Sequence, residues 1–68
     1  MELYLLRYFL AVVEAGTFTR AAAACLITQP TLSAGINRLE AELRTALFGR
    51  WNRRVHLTAA GARFLPRA

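Results

Sequence analysis

Hydrophobic positions near the start of the chain recur at helical spacing. Leu6, Phe9, Leu10 and Val13 stand at i, i+3, i+4 and i+7 and predict one apolar face on a helix over residues 3–15. Gly16 follows in the place that a helix C-terminus favours. Thr17 then offers a hydroxyl to cap a second, shorter helix over residues 18–25. Phe18 is expected to pack back on the first helix, and Ala21, Ala22 and Cys25 form a low face that another helix can approach closely. Thr28 is a further cap candidate, with Pro30 in the first turn of a third helix. Proline is tolerated there because first-turn N–H groups have no intrahelical partner. The third helix is expected over residues 29–43, with Leu32, Ile36, Leu39 and Leu43 as its buried stripe and Ser33, Asn37, Arg38 and Glu42 opposite.

The pattern changes after residue 46. Leu47-Phe48 and Val55-His56-Leu57 flank the polar, arginine-bearing segment 49–54, and Val55 and Leu57 alternate with His56 as a strand does. This predicts a small β-hairpin with a basic tip. Thr58 caps a fourth helix running to Leu65, which Pro66 disturbs. The chain stops two residues later, and an end inside a helix points to a truncated chain. Two short helices, the second opening on a polar cap and a proline, make a helix-turn-helix, and the hairpin after it is a wing. The expected fold is mainly α, a winged helix-turn-helix with a three-helix core and a small hairpin.

At 68 residues the chain suffices for one small domain with a thin core. The net charge of +5 changes the picture, because it is unevenly spread. All nine basic residues are arginine; residues 1–42 hold three of them with all four glutamates, and residues 43–68 hold six arginines and no acid. An arginine-rich, acid-free stretch suits phosphate contact, and its plainer reading is a solvated basic surface. A single cysteine, Cys25, excludes an intramolecular disulfide and reads as a small buried apolar group. No apolar run approaches the roughly 18 residues of a membrane span, and Met-Glu-Leu-Tyr lacks the basic start of a signal peptide. Together these point to the bacterial cytoplasm and to no membrane partner. One histidine, one cysteine and no aspartate, with no glycine-rich phosphate loop and no metal-ligand spacing, argue against an enzyme, a metal site or a resident cofactor.

The order of short motifs is more specific than any one of them. Leu-Arg-Tyr-Phe stands at 6–9, Gly-Thr-Phe-Thr-Arg-Ala-Ala at 16–22 and Thr-Gln-Pro-Thr-Leu-Ser at 28–33. Ile36, Arg-Leu-Glu at 38–40, Glu-Leu at 42–43, Leu-Phe at 47–48, Arg50 and Arg-Val-His-Leu-Thr-Ala-Ala-Gly at 54–61 follow. In this arrangement the chain resembles the N-terminal domain of LysR-type transcriptional regulators over nearly its whole length. The resemblance implies sequence-specific binding of double-stranded promoter DNA by a dimer or tetramer of the full-length protein. It implies a small effector held by a larger C-terminal domain that is absent here. Residues 1–58 would be the DNA-binding unit and 59–68 the first turns of the linker helix that pairs two subunits, leaving this fragment weakly associated or monomeric.

Three positions depart from the family pattern. Cys25 stands where leucine is usual. Gly35 stands where glutamine or a charged residue is frequent, which removes a side chain that could read DNA. Arg44 stands where glycine is usual, and a left-handed backbone there costs a non-glycine residue about 1 kcal/mol.

In a helix-turn-helix the N-terminal residues of the recognition helix meet base edges in the major groove, while the preceding helix crosses the phosphate backbone. Gln29 is the first candidate for a base, since its amide can pair bidentately with adenine. Pro30 and Thr31 suit thymine methyl groups, Ala34 is a further DNA-contact candidate on the same helix, and Thr28 and Ser33 are short hydroxyls suited to phosphate. Asn37 lies two turns beyond Gln29 on nearly the same face, with Arg38 beside it. Thr28 reads equally as a pure cap, and Gln29 as a solvated first-turn residue. Thr19 and Arg20 begin the second helix and face the backbone, where Arg20 reads equally as solvated. Arg50, Arg53 and Arg54 flank or form the wing tip, which follows phosphates or enters a narrow minor groove. Trp51 is assigned to packing and His56 to the solvent side of its strand. Two rival readings are a protein-docking winged helix, which an apolar patch on the third helix would favour, and a basic amphipathic membrane binder, which the caps and hairpin oppose.

Overall fold

The computed structural model of the chain describes residues 2–51 and 54–65. Its elements run α1 (Leu3–Ala15), α2 (Phe18–Cys25), α3 (Gln29–Leu43), β1 (Phe48–Trp51), β2 (Arg54–Leu57) and α4 (Ala59–Phe64). This is the mainly helical winged helix-turn-helix expected from the pattern, with α4 ending one residue earlier, where Leu65 turns extended.

Three of the helices open on a threonine. The Thr17 hydroxyl accepts from the Arg20 N–H at 3.2 Å, Thr28 from Thr31 at 3.3 Å and Thr58 from Gly61 at 3.0 Å. Each satisfies a first-turn donor that has no acceptor inside the helix, which sets where α2, α3 and α4 begin. The other ends of α1, α2 and α3 close through left-handed residues: Gly16 at φ 80°, Leu26 at φ 59° and Arg44 at φ 56°. The left-handed backbone anticipated at Arg44 is therefore present, and Leu26 shares it. Both turns are held by backbone bonds, the Leu26 N–H reaching Ala22 and Ala23, and the Arg44 N–H reaching Glu40 and Ala41.

The core is one cluster built from α1, α2, α3 and the entrance to the wing. Leu5, Phe9, Val12, Leu32, Ile36, Leu39 and Leu47 are fully buried, joined by Phe18, Ala21, Ala22 and Phe48. Phe9 is its centre, with ring centroids 5.3 Å from Phe48 and 5.2 Å from Phe64, and Phe18 meets Phe48 edge-on at 6.1 Å. The buried face of α1 is thus Leu5, Phe9 and Val12, and this corrects the Leu6, Phe9, Leu10, Val13 stripe. Leu10 is 39% exposed, and Leu6 and Val13 are only half-buried. The cause is that α1 is apolar on most sides, so the side against which α2 and α3 close decides the register. Cys25 is half-buried rather than buried.

The strands of the wing pair antiparallel in the register Phe48↔Leu57, Gly49↔His56, Arg50↔Val55 and Trp51↔Arg54. The Val55 N–H also reaches the Gly16 carbonyl at 3.2 Å, which ties the wing to the α1–α2 corner. No described helix is long and apolar enough to cross a membrane.

Candidate nucleic-acid interface

Burial of Leu32, Ile36 and Leu39 leaves the other side of α3 outward. Gln29, Pro30, Thr31, Ala34, Asn37 and Arg38 are exposed on it and Ser33 is half-buried. Thr19 and Arg20 are exposed on the first turn of α2. Of the residues expected to contact DNA, those on α2 and α3 are therefore accessible. Arg50 and Arg54 fall on facing strands of the wing, and Arg53 lies outside the described residues.

The polar side chains of α3 are held in definite roles. Gln29 Nε2 donates to Ser33 Oγ at 2.9 Å, one helical turn on. An amide has two N–H donors and a carbonyl acceptor, so this bond leaves one donor and the acceptor for other partners. These are the two groups that a bidentate adenine contact needs. Thr28 is the cap of α3, and its hydroxyl also shares a 2.8 Å hydrogen bond with the Thr31 hydroxyl.

Arg38 is engaged within the chain. Its Nη2 donates to Glu2 Oε1 at 3.2 Å, its Nε to Glu42 Oε2 at 3.2 Å and its Nη1 to the Tyr4 hydroxyl at 3.4 Å. Its pKa is raised, first by the Glu2 charge, then by Tyr4 and by the hydrogen bond to Glu42. With two carboxylates against one guanidinium, the middle of α3 presents no excess positive charge. Arg20, exposed on α2, supplies positive charge away from mid-helix, and in the sequence six more arginines follow residue 43.

Gly35 calls for a correction. It is buried, and a Cβ built there would lie 2.5 Å from Tyr8 Cδ2. Position 35 faces α1, so the glycine admits the Tyr8 ring and does not remove a group from the outward face. An open cleft of about 330 Å³ lies beside it, lined by Tyr4, Tyr8, Thr31, Ala34 and Arg38. A second, of about 350 Å³, lies where Ala15, Gly16, Thr17 and Arg20 meet Val55 of the wing.

Sequence reasoning missed Glu2 and Tyr4, which fix Arg38 from the far end of the chain and carry no local signal. It also missed Glu40, whose Oε2 accepts from the N–H groups of Leu47 at 2.8 Å and Phe48 at 3.4 Å. An acid beside the leucine stripe near the end of a helix was the available hint. Among the described residues no group of histidine, cysteine and acids is placed to hold a metal.

The family described as "Bacterial regulatory helix-turn-helix protein, lysR family" matches residues 3–62. The HTH-type transcriptional regulator BudR of Klebsiella aerogenes is 56% identical over 64 residues, covering 94% of this chain and 45% of the relative. TfdT of Cupriavidus pinatubonensis is 48% identical over 68 residues, covering all of this chain and 30% of the relative. The chain thus spans less than half the length of these curated relatives, which are transcription regulators and not enzymes. Among solved structures, a CbnR_DBD-DNA complex superposes with a TM-score of 0.90 at 42% identity, covering 94% of this chain and 74% of that one. A BenM_DBD/benA site 1 DNA complex gives 0.89 at 50% identity, covering 94% and 72%.

Proposed function

The chain belongs to the lysR family of bacterial regulatory helix-turn-helix proteins, and from that premise we propose that it inserts α3 into the major groove of promoter DNA while α2 and the wing lie along the phosphates. The supporting observation is the pairing of Gln29 with Ser33 at the exposed N-terminus of α3. It restrains the amide and leaves one N–H and the amide oxygen for a partner that faces the helix. Both solved neighbours named above are complexes with DNA. An apolar docking surface on α3 would have favoured a protein partner, but its described outward residues are polar or small.

The roles divide by chemistry. Gln29 reads a base, Pro30, Thr31 and Ala34 supply apolar contact to thymine methyl groups, and Asn37 reaches a base or the backbone farther along the groove. Ser33 positions Gln29, and Thr28 shapes the helix start. Thr19 and Arg20 meet the backbone from α2. Arg50, Arg53 and Arg54 carry phosphate or minor-groove contact from the wing. Arg38 is already shared between Glu2 and Glu42, and it contributes less to phosphate binding than its charge suggests.

Residues 1–58 form the DNA-binding unit, and residues from 59 begin the helix that leads to the rest of a regulator. The full-length protein acts as a dimer or tetramer in the bacterial cytoplasm, where its promoter DNA lies, with a small effector bound outside this segment. The test is a site selection from a random duplex pool followed by Gln29→Ala. The expected result is about a 5- to 150-fold loss on the selected site, as one bidentate base contact of about 1–3 kcal/mol predicts, with relaxed preference at one base pair. Equal loss on selected and random DNA overturns the base-reading role.

A further inference from the structure

The connection from α3 to the wing is organised around a single side chain. Near the end of α3, the Glu40 backbone carbonyl accepts from the N–H groups of Arg44 and Thr45. Its half-buried carboxylate accepts from two amides a little farther on, those of Leu47 and Phe48. From the other side Thr58 holds the same strip. Its hydroxyl donates to the Ala46 carbonyl at 2.6 Å and its N–H to the Leu47 carbonyl at 3.0 Å. The entrance to β1 is therefore gripped between the helix before the wing and the residue after it.

An acid in this part of a helix is electrostatically misplaced, because the partial charge at a helix C-terminus is negative. Glu40 contributes nothing to α3 by its charge, and its gain lies in the two amides it binds, where a charged acceptor makes a hydrogen bond stronger than a neutral one does. Both amides belong to the wing.

We propose that Glu40 is the positioning residue that sets the wing at its working angle to the recognition helix, so that wing arginines meet phosphate only when α3 is in the groove. This rests on the DNA-binding reading above. Glu40 touches no DNA itself; it makes one rigid body of the base-reading and phosphate-holding parts.

The test is a double-mutant cycle between Glu40→Ala and Arg53→Ala, with Glu40→Gln alongside. Binding to the selected duplex is measured over a series of salt concentrations, and folding is followed by thermal melting. Glu40→Ala is expected to weaken binding about tenfold and to flatten the salt slope by about one phosphate contact. Arg53→Ala should then add little in the Glu40→Ala background, while keeping its full effect in the wild type. Glu40→Gln keeps an acceptor oxygen and should restore most of the slope. A merely structural role predicts that Glu40→Ala lowers the melting temperature and the affinity, leaves the slope unchanged and adds fully to Arg53→Ala. That result overturns the Glu40 role with DNA binding intact, whereas failure of the wild type to bind any duplex overturns the function itself.

Discussion

The contact between α4 and the wing entrance gives a test in which two physical effects have opposite signs. Gly61 is buried in α4, and a Cβ built on it would collide with the Leu47 carbonyl oxygen and stand 2.9 Å from Leu57 Cδ2. Helix propensity alone says that Gly61→Ala stabilises, by about 1 kcal/mol. The structure says the reverse. The Leu47 carbonyl cannot retreat freely, because it accepts from the Thr58 N–H at 3.0 Å while the N–H of the same residue is held by Glu40 at 2.8 Å. Overpacking a well-filled site costs about 1–3 kcal/mol, and a hydrogen bond broken by the shift adds about 1 kcal/mol.

Setting the propensity gain against these terms leaves a net destabilisation of about 1–3 kcal/mol. For a chain this short each kcal/mol moves the melting temperature by about 4–8 °C, so Gly61→Ala should lower it by roughly 5–25 °C. Thermal melting followed by circular dichroism measures this directly, and urea denaturation checks that the slope m is unchanged. A melting temperature equal to or above the wild type would refute the close approach of α4 to Leu47.

Two further substitutions test the helix ends. Leu26 is 91% exposed and left-handed, so Leu26→Gly loses no packing and relieves about 1 kcal/mol of backbone strain. Part of that gain is offset by the greater freedom of glycine in the unfolded chain, leaving an expected rise of a few degrees in melting temperature; a fall would show that the Leu26 side chain packs. Thr17→Ala removes the acceptor for the Arg20 N–H and should cost about 1 kcal/mol. Urea titration reads this as a lower midpoint, and an unchanged midpoint would mean that water replaces the cap without loss.

What the sequence made legible follows from where the information sits. Thr17, Thr28 and Thr58 announce helix starts because a cap bonds a backbone group three residues away, inside the window that a local pattern spans. The α3 stripe is legible because its polar and apolar faces are chemically distinct, and the interface is what remains once Leu32, Ile36 and Leu39 are buried. The α1 stripe is not legible, because leucine, phenylalanine and valine surround that helix, and only its neighbours choose among the overlapping faces. Gly35 misleads for the same reason: which flank of α3 meets Tyr8 is a tertiary fact. Arg38 shows the limit for charge. Its partners Glu2 and Tyr4 stand 36 and 34 residues away, so the count of arginines overstates the cation offered to phosphate at mid-helix. Glu40 is harder still, since its partners are backbone amides that every residue but proline carries. The groups proposed to read bases are therefore visible as residue types at the outward positions of one helix. The Gln29–Ser33 bond stays within α3, whereas the bonds that hold the wing beside the helix run between elements and emerge only when the chain is folded.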